Sequence, residues 1–261
     1  AVGTRLGPME VRGNLPLPHL VHIDPQRDNI GRCYPAEVGL VGHPRAVLRQ
    51  LLERFPSEAR ASRAQEVATA KEGIARVTQS RAPEVWRLLG DIRSAIDRES
   101  IVCLDMTLPA YWASSYLPVY GPRTFLNPYQ FMALGFALPA AIGAKIARPE
   151  RPVVALCGDG GLLFTVQELA TAMHYALDLT VVLFNNDGYG AIRRHQQRRY
   201  AGRVIDADLT NPDFVRLAEA FGARARRLTS LDEIGPALRE AQAAGGLQLV
   251  EAPIRELPAP W

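Results

Sequence analysis

Cysteine is scarce and scattered in this chain of 261 residues. Its three cysteines, Cys33, Cys103 and Cys157, show no C-x-x-C spacing, which argues against a disulfide framework or a cysteine zinc site and makes a reducing cytoplasm the default compartment. Lysine is scarcer still, with Lys71 and Lys145 alone, so arginine supplies nearly all of the positive charge. The net charge of +3 is spread among interleaved acids, with one dense run, "RRHQQRR" from Arg193 to Arg199. A nucleic-acid surface is not expected from that pattern. No apolar run approaches the ~18 residues of a membrane helix, so no membrane span is expected. Neither a secretory leader nor an initiating Met is present. Two phosphate-binding signatures are also missing. There is no G-x-x-x-x-G-K-[ST], and the one glycine-rich stretch after an apolar run reads G-D-G-G-L-L rather than G-x-G-x-x-G.

What is present alternates between strand and helix patterns. Residues 1–55 carry two short candidate strands, "LVHID" and "AEVGLVG", and an amphipathic helix, "PRAVLRQLLERF", with Pro44 near its start. Too few strands occur there for an independent doubly wound sheet. Residues 56–82 are rich in Ala, Arg and Glu and poor in large apolar residues, which predicts a solvated helical linker. Pro83 opens a helix with Val85, Leu88, Leu89 and Ile92 on one face. Beyond residue 100 the strands are continuous apolar runs, "IVCLD", "PVVALCGDG", "TVVLFNN" and "LQLVEAPI". Helical patterns separate them, "PAAIGAKIA", "FTVQELATAMHYAL", "PDFVRLAEAFGA" and "LDEIGPALREAQAA". Continuous runs suit parallel strands covered on both faces, so residues 83–261 are expected to form a doubly wound α/β sheet. The end, "ELPAPW", reads as an irregular tail. The opening "AVGTRLG" reads as the inside of a strand-turn unit, so the chain is expected to be a piece of something longer.

Two turns carry the chemistry. "VVALC" runs into Gly158-Asp159-Gly160-Gly161, and "TVVLF" runs into Asn185-Asn186-Asp187-Gly188. One helix lies between them, so the two strands form a βαβ unit whose carboxyl ends share one sheet edge, the edge where open α/β sheets bind ligands. Each turn alone is ordinary. Together they put a carboxylate and an amide side by side. Mg²⁺ takes about six oxygen ligands, commonly one or two carboxylates plus substrate phosphates. Asp159 can give a carboxylate oxygen, Asn186 an amide oxygen and Gly188 a backbone carbonyl. Gly160 and Gly161 allow N–H groups close to a phosphate, and the following helix is expected to point its N-terminus at the anion, worth ~0.3–1 kcal/mol per exposed charge.

This pattern resembles the diphosphate-binding domain of thiamine-diphosphate-dependent enzymes, in the group that includes acetolactate synthase, benzoylformate decarboxylase and pyruvate decarboxylase. A second segment, "MALGFALPAAIGAKIARPERPVVALCGDGG", supports the likeness. The resemblance implies thiamine diphosphate and Mg²⁺ as cofactors. It makes Asp159, Asn186 and Gly188 the metal ligands, with Gly158, Gly160, Gly161, Tyr189 and Gly190 around the cofactor. It also makes Leu134 the aliphatic wedge that bends the cofactor, and the Met132 carbonyl the acceptor for its amine, where many relatives carry Gly. Asp105, Met106 and Thr107 match the loop that closes over the diphosphate. Ile192 and His195 match substrate-pocket positions, and His195 is the one catalytic candidate. A surface histidine on a basic helix is its competing reading.

Residues 1–55 resemble the second half of the central domain in the same enzymes, an incomplete Rossmann-like unit. The resemblance implies a glutamate that starts the reaction from a pyrimidine-binding domain, and nothing in this sequence matches that domain. The chain alone is therefore expected not to decarboxylate. Its expected partners are a small 2-oxo acid and a pyrimidine domain from the same longer polypeptide or a neighbouring subunit, in a homo-oligomer, a dimer or tetramer. The flavin and Gln-Gly-Met signatures of acetolactate synthases are absent, as is the histidine that benzoylformate decarboxylases carry near the region of Pro8 and Met9. "NNDGYGAIRR" and "FLNP" are closer to decarboxylases of amino-acid-derived 2-oxo acids, such as the 5-guanidino-2-oxopentanoate type. The alternatives are an acetolactate-synthase-like carboligase, a non-catalytic cofactor-binding or regulatory module, and a domain for a different diphosphate cofactor.

Overall fold

The computed structural model describes residues 1–7, 17, 19–55, 62–129, 131–255 and 257–260. It divides into two units, Ala1–Thr69 and Ala70–Pro260, with Trp261 outside the described residues. In the first, β1 (Val21–Asp24) and β2 (Val38–Val41) pair in parallel, with Val21 opposite Val38. Helix α1 (Pro44–Arg54) starts with Pro at its first position and His43 as its cap, whose Nδ1 accepts from the Arg45 N–H at 3.3 Å. This matches the expectation of an incomplete α/β unit. Pro8 and Met9 lie outside the described residues.

Helix α2 (Ala64–Arg81) lies within the segment read as a helical linker, of which residues 56–61 are outside the described residues, and Thr78 is its one buried residue among those described. The division between units falls within this helix, after Thr69, rather than at its end. Helix α3 (Pro83–Ala95) then begins at the expected Pro83, and Val85, Leu88, Leu89 and Ile92 are all buried.

The larger unit holds six parallel strands. In chain order come β3 (Ile101–Leu104), α4 (Leu108–Tyr116), β4 (Phe125–Leu126), α5 (Ala137–Ala147) and β5 (Val153–Gly158). Then follow α6 (Asp159–Leu162), α7 (Glu168–His174), β6 (Leu179–Asn185), α8 (Gly190–Arg199), α9 (Phe214–Ala220), β7 (Arg224–Arg227), α10 (Ile234–Ala244) and β8 (Leu247–Pro253). The sheet order is β4-β3-β5-β6-β8-β7. Alternate strand residues feed two cores. Val102, Leu104, Val154, Leu156, Val182 and Phe184 pack with α3, α4 and α10. Cys103, Ala155, Cys157, Val181 and Leu183 pack with α5, α7 and α9 on the opposite face. That two-sided cover is why the strands read as unbroken apolar runs. Each fully buried Leu or Ile contributes roughly 1.5–3 kcal/mol by leaving water.

Three features differ from the sequence reading. The expected helix "FTVQELATAMHYAL" is shorter: residues before Glu168 form successive tight turns, such as Phe164 N–H to Gly161 O at 3.1 Å. It also ends early, at His174, because Ala176 takes a left-handed conformation with φ 49°. β7 is an edge strand of sequence Arg-Ala-Arg-Arg, whose charge masked its strand character. The tail is irregular but packed, since Leu257 and Ala259 are buried and Trp112 Nε1 donates to Pro258 O at 2.6 Å.

Candidate functional site

The chain order reverses between β3 and β5: the connection from β3 runs outward to β4, and β5 lies on β3's other side. A crevice beyond the carboxyl ends of the strands at such a reversal is the usual ligand position in open α/β sheets. A cavity of about 330 Å³ lies there. It is lined by Met106 and Thr107 after β3, the Gly158–Gly161 turn after β5, residues from Asn186 to Ile192 after β6, and Ile254 after β8. Met132 and Leu134 also line it. Every residue expected to face the cofactor or metal therefore meets in one place, together with Ile192. α6 is only four residues long, so the helix-terminus contribution expected at this turn comes from a single turn of backbone.

The two turns are joined directly. Gly158 pairs with Phe184 across β5 and β6, which sets Asp159 beside the Asn185-Asn186 pair. The Gly188 N–H donates to Asp159 Oδ2 at 2.9 Å. The side-chain oxygen of Asn186 lies 2.9 Å from the Gly188 carbonyl oxygen and 3.3 Å from Asp159 Oδ1. Three acceptors thus converge with no proton to join them. Turning the amide over would let its nitrogen donate to both oxygens. In either orientation the Asn186 amide meets both oxygens, and turned oxygen-inward it could serve a cation as a ligand. Oxygens held at roughly 2.0–2.1 Å by an octahedral Mg²⁺ sit about 2.8–3.0 Å apart along each edge, which matches the 2.9 Å separation, while the 3.3 Å one is longer. The donor set is one carboxylate, one amide and one carbonyl, and no cluster of three or more His, Cys, Asp or Glu occurs among the described residues. The site residues fit a hard cation that keeps further positions for phosphate and water.

The segment Ala207–Leu209 braces the second turn. Tyr189 N–H donates to Ala207 O at 2.8 Å and Leu209 N–H to Asp187 O at 2.9 Å. Arg193 donates to Asp187 O at 3.3 Å and forms an ion pair with Asp208. Tyr189 lies against Gly160 so closely that a Cβ there would be 2.6 Å from its ring.

Asp105 does not line the cavity; it is buried beneath it. Its Oδ1 accepts from Met106 N–H at 2.7 Å and Gly135 N–H at 3.1 Å, and its Oδ2 from Ala137 N–H at 3.3 Å. It therefore anchors the loop that carries Met132 and Leu134. Burial pushes its carboxyl above the usual range, against the downward pull of those three N–H groups. Tyr111, which lines the cavity, has its phenol pushed up to about 12, first by burial and then by Tyr129 and Asp105. Met132 holds a left-handed φ of 52°, and both its N–H and that of Phe131 donate to Pro128 O, at 2.7 and 3.0 Å. A side-chain-bearing residue thus occupies a conformation glycine takes freely, in keeping with the Gly expected there in many relatives.

His195 is placed apart from the cavity. It is exposed on α8 with its ring edge toward Tyr200, centroids 6.3 Å apart. Helix α8 has no buried residue, so of the two pocket candidates only Ile192 reaches the lining. The sequence reading missed Asn211. Its Nδ2 donates to Asp159 Oδ2, Asn185 Oδ1 and Asp187 Oδ1 at 2.8, 2.9 and 3.2 Å. The only sequence signal there, Asn-Pro-Asp before an apolar run, marks a helix start rather than a site.

A six-stranded parallel sheet with a carboxylate, an amide and a carbonyl gathered at its switch point is a ligand-binding arrangement of doubly wound α/β domains. Residues 105–252 match the family model described as "Thiamine pyrophosphate enzyme, C-terminal TPP binding domain", and the chain belongs to that family. It is 36% identical over 265 residues to a probable 2-ketoarginine decarboxylase of Pseudomonas aeruginosa, covering 96% of this chain and 46% of that protein. It is 31% identical over 232 residues to the acetolactate synthase isozyme 3 large subunit of Escherichia coli, covering 85% of this chain and 40% of that protein. Among solved structures it is similar in fold to a thiamine diphosphate-dependent 4-hydroxybenzoylformate decarboxylase of Rhodococcus jostii RHA1. That match has a TM-score of 0.71 at 24% identity and covers 92% of this chain and 45% of the other. The chain spans a little under half the length of these relatives. Thiamine diphosphate is the cofactor of the family, and the relatives are decarboxylases and acetolactate synthases. No helix among the described residues is long and apolar enough to cross a membrane.

Proposed function

We propose that this chain is the diphosphate- and Mg²⁺-binding part of a thiamine-diphosphate-dependent 2-oxo acid decarboxylase. The observation that carries this is the convergence of the Asp159 carboxylate, the Asn186 amide and the Gly188 backbone at the switch-point cavity. Asp159, Asn186 and the Gly188 carbonyl would hold the cation, and Gly160 and Gly161 would leave room for the diphosphate. Leu134 would press on the cofactor from the cavity wall, and the Met132 carbonyl would accept its amine. When bound, thiamine diphosphate supplies a thiazolium that acts as the electron sink for loss of carbon dioxide. The chain's own contribution is geometry and exclusion of water by an apolar wall of Met106, Leu108, Leu134, Ile192 and Ile254.

Met132, Leu134 and Ile192 line the cavity yet remain 46%, 38% and 53% exposed. Apolar side chains left open at a binding cavity are what a covering surface would bury. We assign that cover to a pyrimidine-binding domain of the same longer polypeptide or of a neighbouring subunit in a homo-oligomer, and the activating glutamate to that domain.

The substrate reading favours an amino-acid-derived 2-oxo acid such as 5-guanidino-2-oxopentanoate, in line with the 36% identity to the Pseudomonas protein. Asp159 is the single carboxylate among the described lining residues. A cationic substrate tail would therefore draw its counter-charge from residues beyond this cavity. An acetolactate-synthase-like carboligase is the second reading, supported by the 31% identity to the Escherichia coli subunit.

The test is carbon dioxide release from a panel of 2-oxo acids by the full-length protein with thiamine diphosphate and Mg²⁺. Acetolactate formation from pyruvate is measured in parallel. The decarboxylase reading expects release from a guanidino or other amino-acid-derived substrate, and no turnover by the 261-residue chain alone. Acetolactate as the dominant product would replace it with the carboligase reading.

A further inference from the structure

Asp159 presents its two carboxylate oxygens to different surroundings. Oδ1 faces the Asn186 amide, which also meets the Gly188 carbonyl. Oδ2 is turned away and accepts two N–H groups, from Gly188 at 2.9 Å and from Asn211 Nδ2 at 2.8 Å. An aspartate whose Oδ2 is committed in this way offers one oxygen, not two, to a cation. Asn211 comes from a remote part of the chain, the segment just ahead of α9.

Asn211 is itself held. Its Nδ2 shares Asn185 Oδ1 at 2.9 Å, and Asn185 Nδ2 donates to Glu251 Oε1 at 2.8 Å. Glu251 is buried on β8, and its Oε2 accepts from Arg227 Nε at 2.7 Å. Arg227 Nη2 then donates to Asp213 Oδ1 at 3.0 Å, two residues along the chain from Asn211. Four hydrogen bonds therefore link five side chains in the order Asn211–Asn185–Glu251–Arg227–Asp213, whose two ends lie two residues apart on the backbone. These bonds tie the Asn211 amide, through Asn185 of the second turn, to the buried Glu251 on β8. The same amide also stands between two carboxylates, with Asp187 Oδ1 at 3.2 Å.

We propose that Asn211 is a positioning residue that holds Asp159 as a single-oxygen metal ligand, with the Asn185–Glu251–Arg227 chain as its support. This rests on the reading of Asp159 as a ligand of Mg²⁺. Groups that orient a metal-bound carboxylate typically contribute about 10- to 100-fold in metal affinity when removed. Asn211 is not among the residues that line the cavity. Its loss acts through the metal and is overcome by more metal.

The experiment is calorimetric binding of thiamine diphosphate to the full-length protein over a series of Mg²⁺ concentrations. Asn211→Ala is expected to raise the Mg²⁺ concentration for half-maximal binding by roughly 10-fold or more. At saturating Mg²⁺ its affinity for thiamine diphosphate is expected to return to within about twofold of the unaltered protein, the mark of a defect carried by the metal alone. Asn211→Asp keeps the side-chain volume but sets a carboxylate against Asp159 and Asp187, so its shift is expected to be larger. It carries the test if the alanine variant does not fold. An unchanged Mg²⁺ dependence in a folded variant overturns the proposal, as does a loss of affinity that saturating Mg²⁺ fails to restore. Asp159→Ala is run beside them. If it leaves Mg²⁺-dependent binding intact, the ligand reading itself is wrong. If it abolishes binding while Asn211→Ala behaves as the unaltered protein, the ligand reading stands and only the role of Asn211 is lost.

Discussion

The Gly188 N–H donates to Asp159 Oδ2 at 2.9 Å, which ties together two turns 29 residues apart in the chain. That bond crosses from the end of β5 to the end of β6. It leaves Oδ1 facing the Asn186 amide, which in turn meets the carbonyl of the same Gly188. One residue thus touches both groups of the proposed metal site, its N–H donating to Asp159 and its carbonyl meeting Asn186.

Gly135 sits between the anchor Asp105 and the cavity, with φ 79°. A Cβ there would lie 2.9 Å from Thr165 Cγ2, 3.0 Å from Phe164 Cβ and 3.2 Å from Gly161 O. Both the backbone conformation and the space exclude a side chain. Gly135→Ala is expected to destabilise the fold by about 1–3 kcal/mol, read from the denaturation midpoint. A midpoint unchanged within error would show that the loop moves freely.

Leu134, one residue earlier, calls for the opposite split. It is 38% exposed, so Leu134→Ala removes modest buried area and is expected to cost at most about 1 kcal/mol of stability. If it presses on the cofactor, turnover by the full-length protein drops at least tenfold all the same. Equal small effects on both measurements would make it an ordinary wall residue.

Asp213 gives a pH signature. The Arg216 N–H first, then the Arg227 charge and the Val215 N–H, hold its carboxyl below the usual aspartate range against the opposing effect of burial. A carboxyl held low in the folded state stabilises the fold above its unfolded pKa and loses that contribution as pH falls through the folded value. Asp213→Asn keeps a helix cap but removes the charge. Its melting temperature is expected to trail the unaltered protein most near neutral pH, with the gap closing below about pH 4. A gap independent of pH would assign the effect to shape rather than charge.

The cysteines separate by burial. Cys33 is exposed, whereas Cys103 and Cys157 are buried. Burial pushes the Cys103 thiol up to about 12 and the Cys157 thiol well above its ordinary value. The thiolate is the reactive form. Of these three, a water-soluble alkylating reagent at pH 8 is expected to label Cys33 alone, checked by peptide mass spectrometry. Labelling of Cys157 in folded protein would mean that β5 is accessible beside the site.

Much of the site was legible because its parts are local. Asp159 and Asn186 each end an apolar strand, and the parallel βαβ rule alone brings them together. The helix starting at Pro83 was legible for the same reason, through Val85, Leu88, Leu89 and Ile92. Asn211 and Glu251 were not, because their partners lie 52 and 66 residues away, Asp159 for the first and Asn185 for the second. Local pattern reads Asn211 as a helix start and Glu251 as a polar break in a strand. His195 shows the converse. A motif position suggested the pocket, but its helix face points it toward Tyr200 and solvent. β7 was hidden because an edge strand tolerates charges that a central strand excludes.

The most direct measurement of the central claim is binding of thiamine diphosphate to the full-length protein by calorimetry, with and without Mg²⁺, before and after Asp159→Ala. The account predicts binding that requires Mg²⁺ and is lost in the variant while its far-ultraviolet circular dichroism is unchanged. Binding that is indifferent to Mg²⁺, or that survives in Asp159→Ala, would contradict it.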